Sequence, residues 1–294
     1  MKSTLEQWRM LQAVVEHGGF SQASEAIHKS QSTINQAVHK LQDLIGVPLL
    51  EVRGRKAYLT DQGKLLLRRA QQLLEEAEKL EEVADSLRQG AEAEINIAVN
   101  RALPPRVLHE ALSRFAANFP HTRIELHETV LGGSNELLLN GQVELAITDQ
   151  LPDGYLGDPL LEIHFIAVAA PDHPLHRIDR PLTLQDLKPY RQIVVRDSAQ
   201  DRRRTAGWLG AEQRWTVTDV STSIAMICNG LGYAWLPQSL IEQQLAQQCL
   251  LALPLREGAE RSQHSYIVAA DPDRLGPGAR YLQQQLIECC QSIR

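Results

Sequence analysis

Apolar positions along the first ninety residues repeat at helical spacing. Leu5, Trp8, Leu11, Ala13 and Val15 mostly share one helical face, Ser3 or Thr4 stands where a cap is needed, and Gly18-Gly19 stops the run. Ser21 opens a short second helix through Ala23, Ala26 and Ile27, and His28-Lys29-Ser30 makes a turn. A third helix follows, with Ser30 as N-cap, Ile34, Val38, Leu41 and Ile45 at helical intervals, and Gly46 and Pro48 as the stop. Two short helices joined by a three-residue turn predict a helix-turn-helix. Glu51 to Leu59 reads as a tight hairpin, the wing of a winged helix-turn-helix. Thr60 then caps one long helix, Asp61 to Gln89, before Gly90. Its 29 residues would span about 44 Å, too long for one wall of a small domain.

That helix carries leucines at seven-residue intervals, Leu66, Leu73, Leu80 and Leu87, interleaved with Ala70, Ala77 and Ala84. An ordinary amphipathic helix lying on its own domain is the plain alternative. The strict repeat with small partners fits a close helix-helix seam better, so these seven residues are the expected dimerisation stripe.

After Gly90 strands and helices alternate. Strands are expected at Glu94–Val99, Arg123–His127, Val143–Thr148, Ile163–Ala170, Gln192–Arg196, Trp215–Val217, Tyr233–Leu236 and Ser265–Ala270. Helices are expected from Pro104-Pro105 through Phe119, at Glu136–Leu139, Leu184–Leu187, Ile224–Asn229 and Ala279–Ser292. Repeated units of this kind predict a mostly parallel sheet flanked by helices, in two α/β lobes with two crossovers and a cleft between them. The expected domains are a winged helix-turn-helix at 1–60, a linker and dimerisation helix at 61–90, and a ligand-binding domain at 91–294. Within the last, lobe I takes 91–160 and 265–294 and lobe II takes 161–264.

Composition narrows the class. With 43% hydrophobic and 22% charged residues, the chain fits a folded, water-soluble protein. No stretch approaches the length of a membrane span, and MKSTLEQWRM lacks the apolar core of a secretory signal, so a cytoplasmic protein with no membrane partner is expected. The net charge of −6 argues against a non-specific polyanion binder, but it conceals an asymmetry. Residues 1–69 carry ten Lys/Arg against six Asp/Glu, a net +4, which leaves −10 for the remainder. The two parts face different partners. Cys228, Cys249, Cys289 and Cys290 show neither zinc-ligand spacing nor a disulfide framework, and buried reduced thiols are expected.

On the third helix the inner stripe leaves Gln31, Ser32, Thr33, Asn35, Gln36, His39 and Lys40 facing outward. Amide, hydroxyl and cationic groups suit the donor and acceptor edges of a DNA major groove. Alone, such a face is more often merely solvated. The basic hairpin tip changes the balance, because Arg53, Arg55 and Lys56 could hold phosphates while the helix, from its N-cap Ser30 onward, reads bases.

The amino-terminal run from Gly19 to Asn35, continued by Leu41-Gln42, Leu44, Gly46-Val47, Leu49-Leu50, Gly54-Arg55 and Leu59 to Gly63, resembles the LysR-type transcriptional regulators. Weaker matches follow at Phe119-Pro120, Leu138–Ile147, Asp172–Leu175 and Gly230–Pro237, so the resemblance spans essentially the whole chain. It implies an all-α winged helix-turn-helix head plus long linker helix, followed by a two-lobed α/β effector domain similar to periplasmic solute-binding proteins. The implied function is sequence-specific transcriptional regulation set by a small-molecule effector. The implied partners are double-stranded promoter DNA, the effector, and the chain itself as a homodimer, with dimer and homotetramer both left open as the final assembly. Several positions depart from the family pattern. Ser32 replaces a usual Pro, Asn35 a Ser, Leu50 a Phe and Val52 a wing Arg, which leaves the target half-site open. Asn100, Arg101 and Ala102 fill a loop where the family often places a hydroxyl.

In a doubly wound lobe, ligands sit beyond the carboxyl ends of strands and beside helix amino termini. That rule selects the loops Asn100 to Leu103, Thr148 to Gln150, Asp197-Ser198 and Ser221 to Ser223, and within them Asn100, Arg101, Ala102, Asp149, Ser198, Ser221 and Thr222 as effector-cleft residues, although Ser221 and Thr222 fit helix caps better than ligand contacts and Asp149 could be a cap or turn. The run Arg202-Arg203-Arg204 is expected to be a solvated turn. No catalytic motif, cofactor loop or metal-ligand set is present, so neither an enzyme nor a cofactor is expected. A small-molecule-binding protein without regulatory DNA binding is the alternative. A redox-responsive regulator is disfavoured because Cys228 lies among apolar neighbours.

Overall fold

The Thr4 hydroxyl accepts the Gln7 N–H at 3.3 Å while the Gln7 side chain accepts the Thr4 N–H at 2.9 Å, so helix α1 (Leu5–Glu16) begins with a reciprocal cap. Helices α2 (Phe20–Ala26) and α3 (Gln31–Ile45) follow, α3 starting from Ser30 and ending at Gly46. The Gln42 side-chain oxygen accepts the N–H groups of Leu49 and Leu50, which leads the chain into strand β1 (Leu50–Arg53). Strand β2 (Lys56–Leu59) returns antiparallel, and helix α4 (Asp61–Arg88) starts where Thr60 Oγ1 accepts the Gly63 N–H. Trp8, Leu11, Val14, Ile34, Val38, Leu41 and Leu49 form one core, closed by Leu67, Ala70 and Leu74 of α4.

This computed structural model describes residues 2–53, 56–88, 90–201 and 203–292. The chain forms two compact units, Met1–Gln89 and Gly90–Arg294.

The second unit is built on a nine-stranded sheet in the order β4-β3-β5-β11-β6-β9-β7-β8, with β10 paired to β6. Its strands are β3 (Glu94–Asn100), β4 (Arg123–Thr129), β5 (Leu145–Thr148), β6 (Gly157–Ala169), β7 (Gln192–Val195), β8 (Arg214–Val217), β9 (Tyr233–Pro237), β10 (Leu251–Ala252) and β11 (Glu260–Ala269). Its helices are α5 (Pro105–Asn118), α6 (Gly133–Leu139), α7 (Leu184–Leu187), α8 (Val220–Cys228), α9 (Glu242–Ala246) and α10 (Pro277–Gln291). The sheet is mixed rather than mostly parallel. Strands β4-β3-β5 and β9-β7-β8 are parallel groups, but β6 carries the chain out of the first group and β11 brings it back, so these two run antiparallel. Two cores draw on residues 95–160 and 266–290, and two others on residues 166–259. The 13-residue β6 and the 10-residue β11 run between the two sets, and their register shifts between His264 and Tyr266. Helix α9 and strand β10 are additions to the elements predicted from sequence.

Candidate functional site

In the first unit, Ile34, Val38 and Leu41 take the buried face of α3, and Gln31, Ser32, Thr33, Asn35, Gln36, His39 and Lys40 are all exposed. They do not all stand equally free. Ser30 Oγ accepts the Thr33 N–H at 3.1 Å and lies 2.8 Å from Ser32 Oγ and 2.7 Å from Thr33 Oγ1. Those three hydroxyls hold the helix start. Gln31, Asn35, Gln36, His39 and Lys40 supply a row of donors and acceptors beyond that cap. In the hairpin the strand register sets Arg53 opposite Lys56 at the tip, and Arg55 lies outside the described residues.

Helix α4 divides along its length. Leu67, Ala70 and Leu74 are buried in the head core, and no described residue after Leu74 is buried, although Arg9 reaches Glu78 at 3.2 Å. Leu73, Leu80 and Leu87 stand 54%, 69% and 47% exposed at seven-residue spacing, and Ala84 is exposed and Ala77 half-buried beside them. Ala70 and Leu66 correct the expected stripe. At about 100° per residue Ala70 lies roughly 60° around the helix from Leu73, on the edge shared with the head-facing side. Ala70 is 4% exposed, and Leu66 packs against the same core.

The second unit encloses a cavity of about 450 Å³. Asn100, Arg101, Ala102 and Asp149 line it, as their position after strands β3 and β5 predicts. Asn100 Oδ1 accepts the Ala102 N–H at 3.0 Å and so shapes the loop, while Arg101 is paired with Glu128 (3.1 Å) and Asp219 (3.0 Å). Asp149 does not cap a helix. It pairs with Arg204 at 2.5 Å and accepts from the Gln263 side-chain amide. Arg204 therefore corrects the expectation of a wholly solvated arginine run.

Ser198, Ser221 and Thr222 do not line the cavity. Ser198 Oγ accepts the Val130 N–H at 2.9 Å and donates to the Val130 carbonyl at 3.1 Å. A Cβ on Gly133 would fall 1.9 Å from that oxygen, so glycine is required for the loops after β4 and β7 to meet. Asp197 joins the clasp by accepting the N–H groups of Gly132, Ala199 and Arg204. Glu136 accepts those of Asp201 and Gln200, and these backbone donors hold its carboxyl below the ordinary range. At α8 the cap is Asp219, which accepts the Thr222 N–H at 3.0 Å and the Ser221 hydroxyl. Val220 and Ser223, one turn apart, face the cavity, and the two residues between them face away.

Sequence reasoning missed Gln192, Arg261, Gln263 and Ser265, all in the cavity wall with Phe165, Trp208 and Trp235; Ser223, in one of the loops singled out from sequence, lines it too. A signal existed for three of them. Arg261, Gln263 and Ser265 alternate along a strand, which puts them on one face.

Cys289 and Cys290 are buried as expected, whereas Cys249 is exposed and Cys228 half-buried. Burial pushes the Cys228 thiol above its ordinary pKa, the opposite of a reactive thiolate. Among the described residues no group of His, Cys, Asp or Glu gathers as a metal site would need, and no helix is long and apolar enough to cross a membrane.

Two family models match the chain. Residues 5–64 match the bacterial regulatory helix-turn-helix protein, lysR family, and residues 88–291 match the LysR substrate binding domain. The HTH-type transcriptional regulator YeeY of Escherichia coli (strain K12) is 32% identical over 260 residues, covering 85% of this chain and 83% of that one. The HTH-type transcriptional activator AllS of Klebsiella pneumoniae is 29% identical over 253 residues, covering 84% and 94%. Among solved structures, full-length LysG from Corynebacterium glutamicum superposes with a TM-score of 0.54 at 20% identity, covering 98% of each chain.

Proposed function

The chain belongs to the LysR-type transcriptional regulators, and from that premise we propose how its parts divide the work. It is a DNA-binding regulator whose activity is set by a small molecule in the α/β domain. In our reading, Gln31, Asn35, Gln36, His39 and Lys40 of α3 meet base edges in the major groove. Ser30, Ser32 and Thr33 fix the helix start against the backbone, and Arg53, Arg55 and Lys56 of the wing hold phosphates. The exposed polar face opposite the buried Ile34, Val38 and Leu41 carries this assignment. Leu73, Ala77, Leu80, Ala84 and Leu87 form the pairing seam of a homodimer, which doubles to a homotetramer on DNA. The effector occupies the cavity lined by Asn100, Arg101, Ala102 and Asp149.

Base reading and phosphate holding separate experimentally. Gln31→Ala is expected to weaken the cognate site by about 1–3 kcal/mol and to leave random duplex unchanged, as loss of a bidentate base contact would. Arg55→Ala is expected to weaken every duplex and to lower the slope of log K against log salt by about one. Equal, sequence-independent losses in both variants, measured by fluorescence anisotropy, would contradict the assignment.

A further inference from the structure

Several charges around the cavity are already neutralised by the chain itself. Arg204 is paired with Asp149, and Arg101 with Glu128 and Asp219. Two sets of backbone N–H groups beside the cavity are taken too. Asp219 occupies the start of α8, and Asp197 collects three N–H groups of the neighbouring loops. Arg196, Arg203 and Arg214 lie at the exposed rim, where water screens their charge.

Arg261 differs from all of these. It stands directly across from Phe165 in the β11–β6 register, with its guanidinium carbon 4.6 Å from the ring centre. Gly207, at φ +74°, lets a loop press against it, since a Cβ there would lie 2.4 Å from Nη1. Among the described residues no carboxylate pairs with it, and its Nε is buried without a hydrogen-bond partner. Burial without a compensating anion pulls its guanidinium below the ordinary arginine pKa. A cation held this way in an apolar wall is costly unless something negative arrives.

Three further polar groups stand unpartnered in the same wall. Ser223, Ser265 and Gln192 line the cavity and are no more than 3% exposed, and Ser223 Oγ, Ser265 Oγ and Gln192 Oε1 lie buried in that wall with no hydrogen-bond partner among the described residues. Ser265 sits at the register shift of β11, two strand positions beyond Gln263 and four beyond Arg261. Ile163, Phe165, Trp208, Trp235 and Leu236 give the wall a large apolar share.

We infer that the effector is a monocarboxylate with an apolar body and a hydrogen-bonding group, its carboxylate paired with Arg261, its body against Phe165 and Trp235, and its polar group reaching Ser223 or Ser265. This rests on the reading of the cavity as the effector site and adds the chemical class. A phosphate is a poorer match, because a dianion needs the backbone donors that Asp197 and Asp219 already occupy.

The test uses the full chain and matched probe pairs: benzoate with benzamide, 4-phenylbutyrate with 4-phenylbutyramide, hexanoate with hexanamide, and phenyl phosphate as the dianion. Binding is read by calorimetry and by tryptophan fluorescence, which Trp208 and Trp235 make sensitive to the cavity. At least one carboxylate should bind about tenfold or more tightly than its amide, the worth of one charge-assisted pair, and more tightly than phenyl phosphate. In Arg261→Gln the carboxylate-to-amide ratio should fall to about one with amide affinity unchanged, and Arg261→Lys should restore part of it. Amides binding as tightly as carboxylates would overturn the inference and leave the cavity reading standing. Tighter phenyl phosphate would overturn the carboxylate assignment, and a ratio unmoved in Arg261→Gln would overturn the role of Arg261. Should no probe of either charge bind, the cavity reading itself falls and the inference with it. The wild-type comparison decides the ligand class even if Arg261→Gln does not fold.

Discussion

In the head, seven exposed polar side chains of α3 fall between Gln31 and Lys40, whereas the cavity of the second unit joins residues as distant as Asp149 and Gln263, 114 positions apart. The α3 face follows from local periodicity alone. Burying Ile34, Val38 and Leu41 on one side of a helix forces the residues between them outward. The cavity depends instead on which strands become neighbours and how they are registered. Placing β11 beside β6 sets Arg261 over Phe165, and the β5–β11 pairing lets Asp149 reach Gln263. One kind of surface is presented by an element, and the other is assembled by a topology.

The largest expected effect strikes the linker helix, where both kinds of surface meet on one element. Replacing Leu73 and Leu80 together with Asp puts like charges on an apolar stripe that stands more than half exposed. The protein should fold normally and sediment as a monomer in analytical ultracentrifugation, with affinity for a two-half-site operator falling by about a hundredfold or more as linkage between the heads is lost. An unchanged dimer would break the account of α4. Because Ala70 is buried in the head, Ala70→Asp should behave differently and destabilise the head itself.

A smaller effect sharpens the comparison from the other side. Glu136 is held by two backbone N–H groups across the clasp of the second unit, and they lower its pKa from the ordinary value of 4.5. A group whose folded-state pKa is depressed contributes stability above its unfolded value and loses that contribution as pH falls through the folded one. Thermal midpoints measured downward from about pH 6 should therefore drop below the ordinary carboxylate range, and Glu136→Gln should flatten that part of the profile. An identical acid profile in the variant would show that the clasp does not report through Glu136.

Legibility in the sequence follows the same division. The three helices, the hairpin and the long linker were readable to within a residue or two, because caps such as Thr4 and Ser30 and stops such as Gly46 act locally. The start of β11 was not. Glu260 to His264 is polar, so the apolar pattern suggested a strand only from Ser265, yet this polar half supplies Arg261 and Gln263 to the cavity. Its residues break the usual strand pattern where the site makes use of them. The first half of β6 was hidden in the same way by Asp158 and Pro159. For the loops, the rule that ligands gather at strand ends found Asn100, Arg101, Ala102 and Asp149 but could not separate them from Ser198, Ser221 and Thr222. Those three sit at comparable ends, and their hydroxyls are taken by Val130 and Asp219 or turned outward.

The basic head is expected to grip duplex DNA through α3 and its wing. The most direct measurement is a fluorescence anisotropy titration of the full chain against a labelled duplex from the region upstream of its own gene, repeated across a range of salt. Tight binding is expected at low salt, with log K falling linearly as log salt rises and a scrambled duplex bound far more weakly. No binding at low ionic strength, or equal affinity for both duplexes, would contradict it.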